Sequence, residues 1–484
     1  MDNHHSGYMA VFCGDSHSRC THNAGSDNSD VGTDENVAAA AGSMSLKDTH
    51  RDSNMVVVHV EAKLVPYNSF RLDSAKSHIE HFLRDNHVSL LLHALIADLG
   101  SSPSSSPSSP FVRNNVLSIR ICEARSSVAA ESPTDDIVAL ATCSLDIHVY
   151  QDVAQPISHE LGQDSVCTAM HWELPCSELG GLWESLVFDE DLPLSLLDYV
   201  YTSILFSDME IDTNIINVNR VILLHGPPGS GKTTLCRALA QKLSIRLADR
   251  FSFGRLVEIN SHSLFSKFFS ESSKLVMQLF QTLHDLLDDQ DTFVCILMDE
   301  VESLSAARKA SAAGLEPSDA IRVVNALLTQ IDRLRQRKNV LVLATSNITE
   351  AIDVAFIDRA DIKQYIGNPS QNAIYQILSS CLVELMEKKL ISPPVSLLGL
   401  RELDLFSNSS PASKRLLDIS RQCEGMSGRA LRKLPFLTHA RCIRTRTSTL
   451  ARFLDALHDT VRWEQHSRKE MGCALDSTLA FTTE

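Results

Sequence analysis

Gly226 to Thr233 read GPPGSGKT, an order of glycines, lysine and hydroxyl that a phosphate cradle needs. Gly226, Gly229 and Gly231, spaced by Pro227, Pro228 and Ser230, let backbone N–H groups turn inward around a β-phosphate. Lys232 then reaches the β and γ oxygens, Thr233 offers its hydroxyl to Mg²⁺, and Thr234 belongs to the same binding set. Two further groups end apolar runs. In FVCILMDEVESL, residues 293–304, Asp299 is placed to hold Mg²⁺ through water and Glu300 to orient and deprotonate an attacking water. In NVLVLATSN, residues 339–347, the Asn347 amide could hold that water near the γ-phosphate. No N-K-x-D segment reads guanine, so ATP is the expected nucleotide.

These groups work only if strands and a helix hold them. Val221 to Leu224 reads as a buried parallel strand, and Leu235, Leu239 and Leu243 recur at helical spacing over 233–243. Strand, glycine loop and helix therefore follow in order, with the helix start adding its positive end at the phosphate. A parallel sheet delivers the carboxylates of Asp299 and Glu300 at its C-terminal edge. The expected class is α/β, with a parallel sheet flanked by helices.

Composition sets the limits. Basic residues number 44 against 60 acidic ones, for a net charge of −16, so no global positive field exists to hold nucleic acid or anionic lipid. The N-terminus MDNHHSGYMA has neither a cationic start nor an apolar run, and the longest apolar stretch, at 88–99, is interrupted by His93 and Asp98. An intracellular protein with no membrane or direct nucleic-acid partner is expected. The 12 cysteines form no disulfide-like framework, and buried, reduced thiols are expected for most.

Residues 1–53, rich in Ser, Asp, His, Asn and Gly, read as a disordered tail. Its Cys13, His17, Cys20 and His22 fit no common zinc spacing. Residues 54–165 read as a small mixed α/β domain. Its strands are expected at VVVHVEAKL, NVLSIRICEA and IVALATCSLDIHVY, with a helix opened by Asp73 and a flexible loop at SSPSSSPSSP, 101–110. HELGQ at 159–163 begins like a zinc-protease helix but has Gln where the second His must fall. The large ATPase domain is expected over 166–368 and a small helical lid over 369–484.

GPPGSGKT, DE and TSN, each at a strand end and in this order, resemble the AAA+ ATPases. HSLFSKFFSES, DEVESLSAAR, GLEPSDAIRVVNALLTQID, SNITEAIDVAFIDRADIKQYIG and SGRALRKLPF narrow the resemblance over roughly residues 170–440. They look like the pachytene-checkpoint ATPases, remodellers of HORMA-domain proteins. The resemblance implies a homohexamer in which Arg359 reaches the γ-phosphate of the neighbouring subunit and Arg429, in CEGMSGRALRKLP, binds it in cis. Many members carry two arginines near the first of these positions. Here Asp358 and Ala360 flank Arg359 alone.

It also implies that Lys267, Phe268 and Phe269 form a pore loop, where an aromatic ring gives sequence-tolerant apolar contact to an extended chain. Phe268 stands where the family more often has Trp, and Phe269 is expected to turn inward. The implied clients are meiotic chromosome-axis and spindle-checkpoint HORMA proteins, presented by a HORMA-containing adaptor, and the implied sites of action are nucleus and cytoplasm. Two other classes share the ATP site: a DNA-linked ATPase of clamp-loader type, which should show basic DNA-facing stretches, and a nucleotide-switched scaffold, which should show no turnover.

Overall fold

The computed structural model describes residues 56–481 apart from 67–70, 98, 100–107, 127–135, 154–158, 161–168, 190, 213, 262–271, 305–318, 349–351 and 406–409. The amino-terminal tail, Lys267, Phe268 and Phe269 lie outside the described residues, as do the first seven positions of the Ser-Pro run.

A first sheet is built from β1 (Val56–Leu64), β3 (Leu95–Ile96), β4 (Val116–Ser126) and β6 (Cys143–Tyr150), in the order β3-β4-β1-β6. A separate pair joins β2 (Ser89–Leu91) to β5 (Ile137–Ala139). Side chains alternate across a strand, so Val58, Val60 and Ala62 of β1 enter an apolar core with Ile79, Phe82 and Leu83 of α1 (Leu72–Asn86). His59 and Glu61 take the other face. Two local expectations change here. Arg71 precedes α1 without a capping side-chain bond, and Asp73 sits in the first turn instead of opening the helix. The expected loop at 101–110 ends in a helix, α2 (Ser108–Asn115).

The second sheet has seven strands in the order β13-β9-β12-β11-β10-β8-β7. Its parallel part comprises β9 (Val221–His225), β10 (Phe253–Asn260), β11 (Thr292–Asp299), β12 (Val340–Ser346) and β13 (Ile362–Tyr365). Antiparallel β8 (Ala169–Leu174) and β7 (His159–Glu160) extend one edge, so HELGQ contributes a strand where its sequence begins like a helix. Helices cover both faces, which explains the unbroken apolar runs of the central strands. Val294, Ile296 and Met298 pack toward α6 (Ser272–Leu287) and α7 (Asp319–Leu334). Phe293, Cys295 and Leu297 pack toward α4 (Leu192–Asp208) and α5 (Lys232–Arg246), α3 being the short turn Leu182–Ser185.

After α8 (Val354–Ile357) and β13, a helical unit follows with its own core. It consists of α9 (Gln371–Glu387), α10 (Leu400–Leu405), α11 (Pro411–Gln422), α12 (Gly428–Thr438) and α13 (Leu450–Phe481). Ser370 and Ser427 accept hydrogen bonds from the N–H groups of Ala373 and Ala430, which fixes where α9 and α12 begin.

Candidate active site

The loop between β9 and α5 depends on glycine at two places. Gly226 has φ 141°, and a Cβ there would lie 2.1 Å from the Ile366 carbonyl oxygen. Gly229 has φ 79°, and its Cβ would meet Ser427 Oγ at 3.0 Å and Arg429 Cβ at 3.2 Å. The missing side chain lets the first turn of α12 close onto the loop, and the Arg429 N–H donates to the Gly229 carbonyl at 3.1 Å. Lys232 is buried and donates to the carbonyls of Gly226 and Pro227, both at 2.9 Å. Burial pushes its ammonium below the usual lysine range, against the pull of Glu302 and Asp299 and with the help of Arg429. Ser230 Oγ is buried without a hydrogen-bond partner among the described residues, as an atom awaiting a phosphate oxygen would be.

Beside this loop, the Thr233 hydroxyl donates to Asp299 Oδ1 at 3.0 Å, and the Thr345 hydroxyl donates to the same oxygen. A hydroxyl and a carboxylate this close, at the start of α5 and the end of β11, suit the hard oxygen-ligand chemistry of Mg²⁺. Glu300 follows with φ 59° and an exposed side chain. That left-handed backbone costs a glutamate about 1–2 kcal/mol, and the Glu300 N–H is directed at Thr345 Oγ1, 3.4 Å away. Half-buried Asn347 donates its N–H to Glu302 Oε1 at 3.2 Å, while Glu302 Oε2 is buried without a partner among the described residues. Asp299, Glu300 and Asn347 therefore stand at one edge of the sheet with the phosphate loop, because β9, β11 and β12 all run parallel.

A cavity of about 210 Å³ continues from the loop, lined by Phe188, Ser230, Tyr365, Ile366, Asn368 and Gly428. It draws on five stretches of chain: the segment leading into α4, the phosphate loop, the end of β13, α9 and the start of α12. Asp189 ties the first to the helical unit by accepting from the Ser370 hydroxyl and, at 3.2 Å, its N–H. The ring-lined pocket beside a phosphate loop suits a planar base.

Arg359 occupies a different place. Its Nε and Nη2 donate to the Asp332 carboxylate at 2.7 and 2.8 Å, and Nη1 to the Ala355 carbonyl at 2.6 Å. The hydrogen bond it donates to Asp332 raises its pKa further, so its charge is permanent. Next to it, Asp361 accepts from Tyr199, Asn219 and the Arg220 N–H at 2.6–2.9 Å, pinning β13 beside the start of β9.

Residues 222–368 match the family model for the ATPase family associated with various cellular activities. Residues 53–154 match a TRIP13 N-terminal domain, and 370–465 a TRIP13-like AAA+ ATPase lid C-terminal domain. The pachytene checkpoint protein 2 homolog of Sus scrofa is 53% identical over 371 residues, covering 75% of this chain and 85% of the relative. The Danio rerio homolog is 44% identical over 437 residues, covering 88% of this chain and 99% of the relative. The chain belongs to the pachytene checkpoint protein 2 family. It is an AAA+ ATPase and a nucleotide-binding protein. The solved structure of C. elegans PCH-2 agrees in fold, with a TM-score of 0.66 and 33% identity over 84% of this chain and 99% of that one.

Within this family frame, the structure brings Gly226 to Thr234, Asp299 and Arg429 together and sets Glu300 and Asn347 at the same sheet edge. It gives Arg359 partners on α7 and α8. Three participants escaped the sequence reading. Thr345 and Glu302 meet Asp299 and Asn347 only across neighbouring chain segments. Phe188 lies in FDEDLP, a stretch with no motif, although its Phe beside a Pro-started helix marks where the chain turns into α4.

Proposed function

We propose that this ATPase is a homohexameric remodeller of HORMA-domain proteins that converts their closed form to the open one and so dismantles HORMA complexes, with Mg²⁺-ATP as its fuel. The observation that carries the chemical half is the Thr233–Asp299 hydrogen bond beside buried Lys232, under a glycine loop whose Gly229 carbonyl accepts from the Arg429 N–H of the lid helix. The substrate half rests on the pachytene-checkpoint family and on the motifs from His262 to Phe436 that resemble its HORMA remodellers.

In this reading the backbone of Gly226 to Gly231 and the Lys232 ammonium bind the β and γ phosphates, and Thr234 continues the binding set at the helix start. Lys232 exchanges its two carbonyl partners for phosphate oxygens. Thr233 and Asp299 hold Mg²⁺, which neutralises phosphate charge. Glu300 takes the proton from the attacking water while Asn347 fixes that water's position. Arg429 binds the γ-phosphate in cis. Arg359 leaves Asp332 to reach the neighbour's γ-phosphate in trans, and as a lone arginine it carries that contact by itself. Phe268, in the pore loop that Lys267 and Phe269 share, grips a disordered end of the client. Residues 54–165 receive a HORMA-containing adaptor or the client, in meiotic chromosome-axis control and spindle-checkpoint signalling, in nucleus and cytoplasm.

The test is ATP turnover by the full chain with and without purified meiotic-axis and checkpoint HORMA proteins and an adaptor. Stimulation by a HORMA protein is expected. Turnover indifferent to every HORMA protein but raised by DNA would replace this reading with the clamp-loader one.

A further inference from the structure

Two parallel strands of the amino-terminal sheet carry a cluster that the ATPase chemistry does not use. His59 of β1 lies level with Asp146 of β6, and His148 follows two residues later on the same face. His59 Nδ1 is 3.1 Å from Asp146 Oδ2, His148 Nε2 is 3.2 Å from the same oxygen, and the two ring nitrogens are 3.3 Å apart. The imidazoles stack at 22° with their nitrogens on one point, and both rings are largely buried.

Protons alone satisfy this triangle poorly. If both nitrogens donate to Asp146 Oδ2, two N–H groups face each other across 3.3 Å. If one is unprotonated, its lone pair faces the carboxylate oxygen. A cation at the centre satisfies three lone pairs at once. Tetrahedral ligands about 2.0–2.1 Å from zinc stand about 3.3–3.4 Å from one another, close to the spacing found here. Surrounding charge agrees. Lys242 Nζ lies 2.7 Å from Glu61, and Arg246 lies 2.7 Å from Glu61 and 3.1 Å from Glu123. Three carboxylates, Glu61, Glu123 and Asp146, thus face two cations, Lys242 and Arg246, leaving one negative charge over when both histidines are neutral.

We propose that His59, Asp146 and His148 form a three-ligand site for a divalent transition-metal ion of the zinc class. The strands set the ligand spacing, and the fourth position opens to solvent on the side of Asp146, whose side chain is 47% exposed. Bound there, the ion clamps β1 to β6 next to the buried ion pairs that join this sheet to the end of α5.

The test uses the full chain, stripped with chelator and titrated with Zn²⁺ by calorimetry and with Co²⁺ by absorption. The wild type is expected to take one equivalent with ligand-field bands free of a thiolate charge-transfer band; uptake by Cys13 or Cys20 in the tail would show that band. Asp146→Asn should weaken this equivalent at least tenfold, His59→Ala and His148→Ala should abolish it, and Zn²⁺ should raise the melting temperature most in the wild type, less in Asp146→Asn and not at all in the histidine variants. If the histidine variants do not fold, Asp146→Asn decides, because its partly exposed side chain tolerates the change. A wild type that takes up no thiolate-free equivalent, or an Asp146→Asn chain that binds as the wild type does, overturns the site and leaves a hydrogen-bonded cluster.

Discussion

Glu300 stands in a backbone conformation that glutamate avoids, at the one strand end where an acid could meet a nucleotide's outer phosphate. Strain of this kind persists where the surroundings over-determine it, here through Thr345 and the strand that carries it. Glu300→Gln is expected to keep ATP binding and lower turnover about 10²–10⁴-fold, measured as phosphate release beside fluorescent-nucleotide binding. Lys232→Ala should abolish the binding itself. Thr345→Val removes a donor from the Asp299 carboxylate, a bond worth about 1.5–3 kcal/mol when one partner is charged. The Mg²⁺ concentration for half-maximal ATPase should rise about tenfold or more, and the melting temperature should fall modestly with the lost bond. At this scale the sequence disclosed Gly226 to Thr233 and Asp299-Glu300 because their spacing is local. Thr345 and Glu302 stayed hidden because their partners lie more than forty residues away, across a strand pair.

Helix α5 links two regions that the sequence presents as separate. Its first residue closes the phosphate loop, and its last, Arg246, is buried against Glu61 and Glu123 of the amino-terminal sheet. Burial alone would raise the Glu61 carboxyl, yet Lys242 and Arg246 outweigh it and hold it at about 2. Arg246→Met deletes the cation and strands the buried Glu123 carboxylate, while Glu61 keeps Lys242, so it should cost about 3–5 kcal/mol, read as a lower denaturation midpoint. Glu123→Gln combined with Arg246→Met should recover part of the loss. The strands of this region were legible from their own residues, β1 from Val56 to Leu64 above all. The seam was not, since nothing near Glu61 in sequence indicates what covers it. Asp73 misled for a simpler reason: α1 begins one residue before it, and an acidic first turn looks the same as a cap in sequence.

At the scale of the whole molecule, one chain supplies a phosphate loop and an arginine directed elsewhere. Arg359 is held by Asp332 and Ala355, and in the proposed hexamer it would exchange these partners for a neighbour's nucleotide. Arg359→Ala should leave ATP binding intact and reduce turnover, an effect that reaches about 10³–10⁵-fold for arginines acting in trans. Mixing inactive Arg359→Ala with inactive Glu300→Gln chains should restore part of the turnover where intact groups meet, and no recovery at any ratio would remove the trans assignment. The lid's place was legible because Arg429 sits in a run that resembles the family. That Gly229 admits α12 against the loop was visible only in three dimensions.

The most direct measurement of the central claim follows a closed HORMA-domain protein over time, with ATP, adaptor and the full chain, by a separation that resolves closed from open forms. Wild-type chain is expected to convert the client at a rate that tracks ATP turnover. Glu300→Gln should convert none, and Phe268→Ala should hydrolyse ATP and melt as the wild type does but convert little. Conversion that proceeds equally with Glu300→Gln, or no conversion despite brisk hydrolysis by the wild type with each HORMA protein, would contradict an ATP-driven HORMA remodeller.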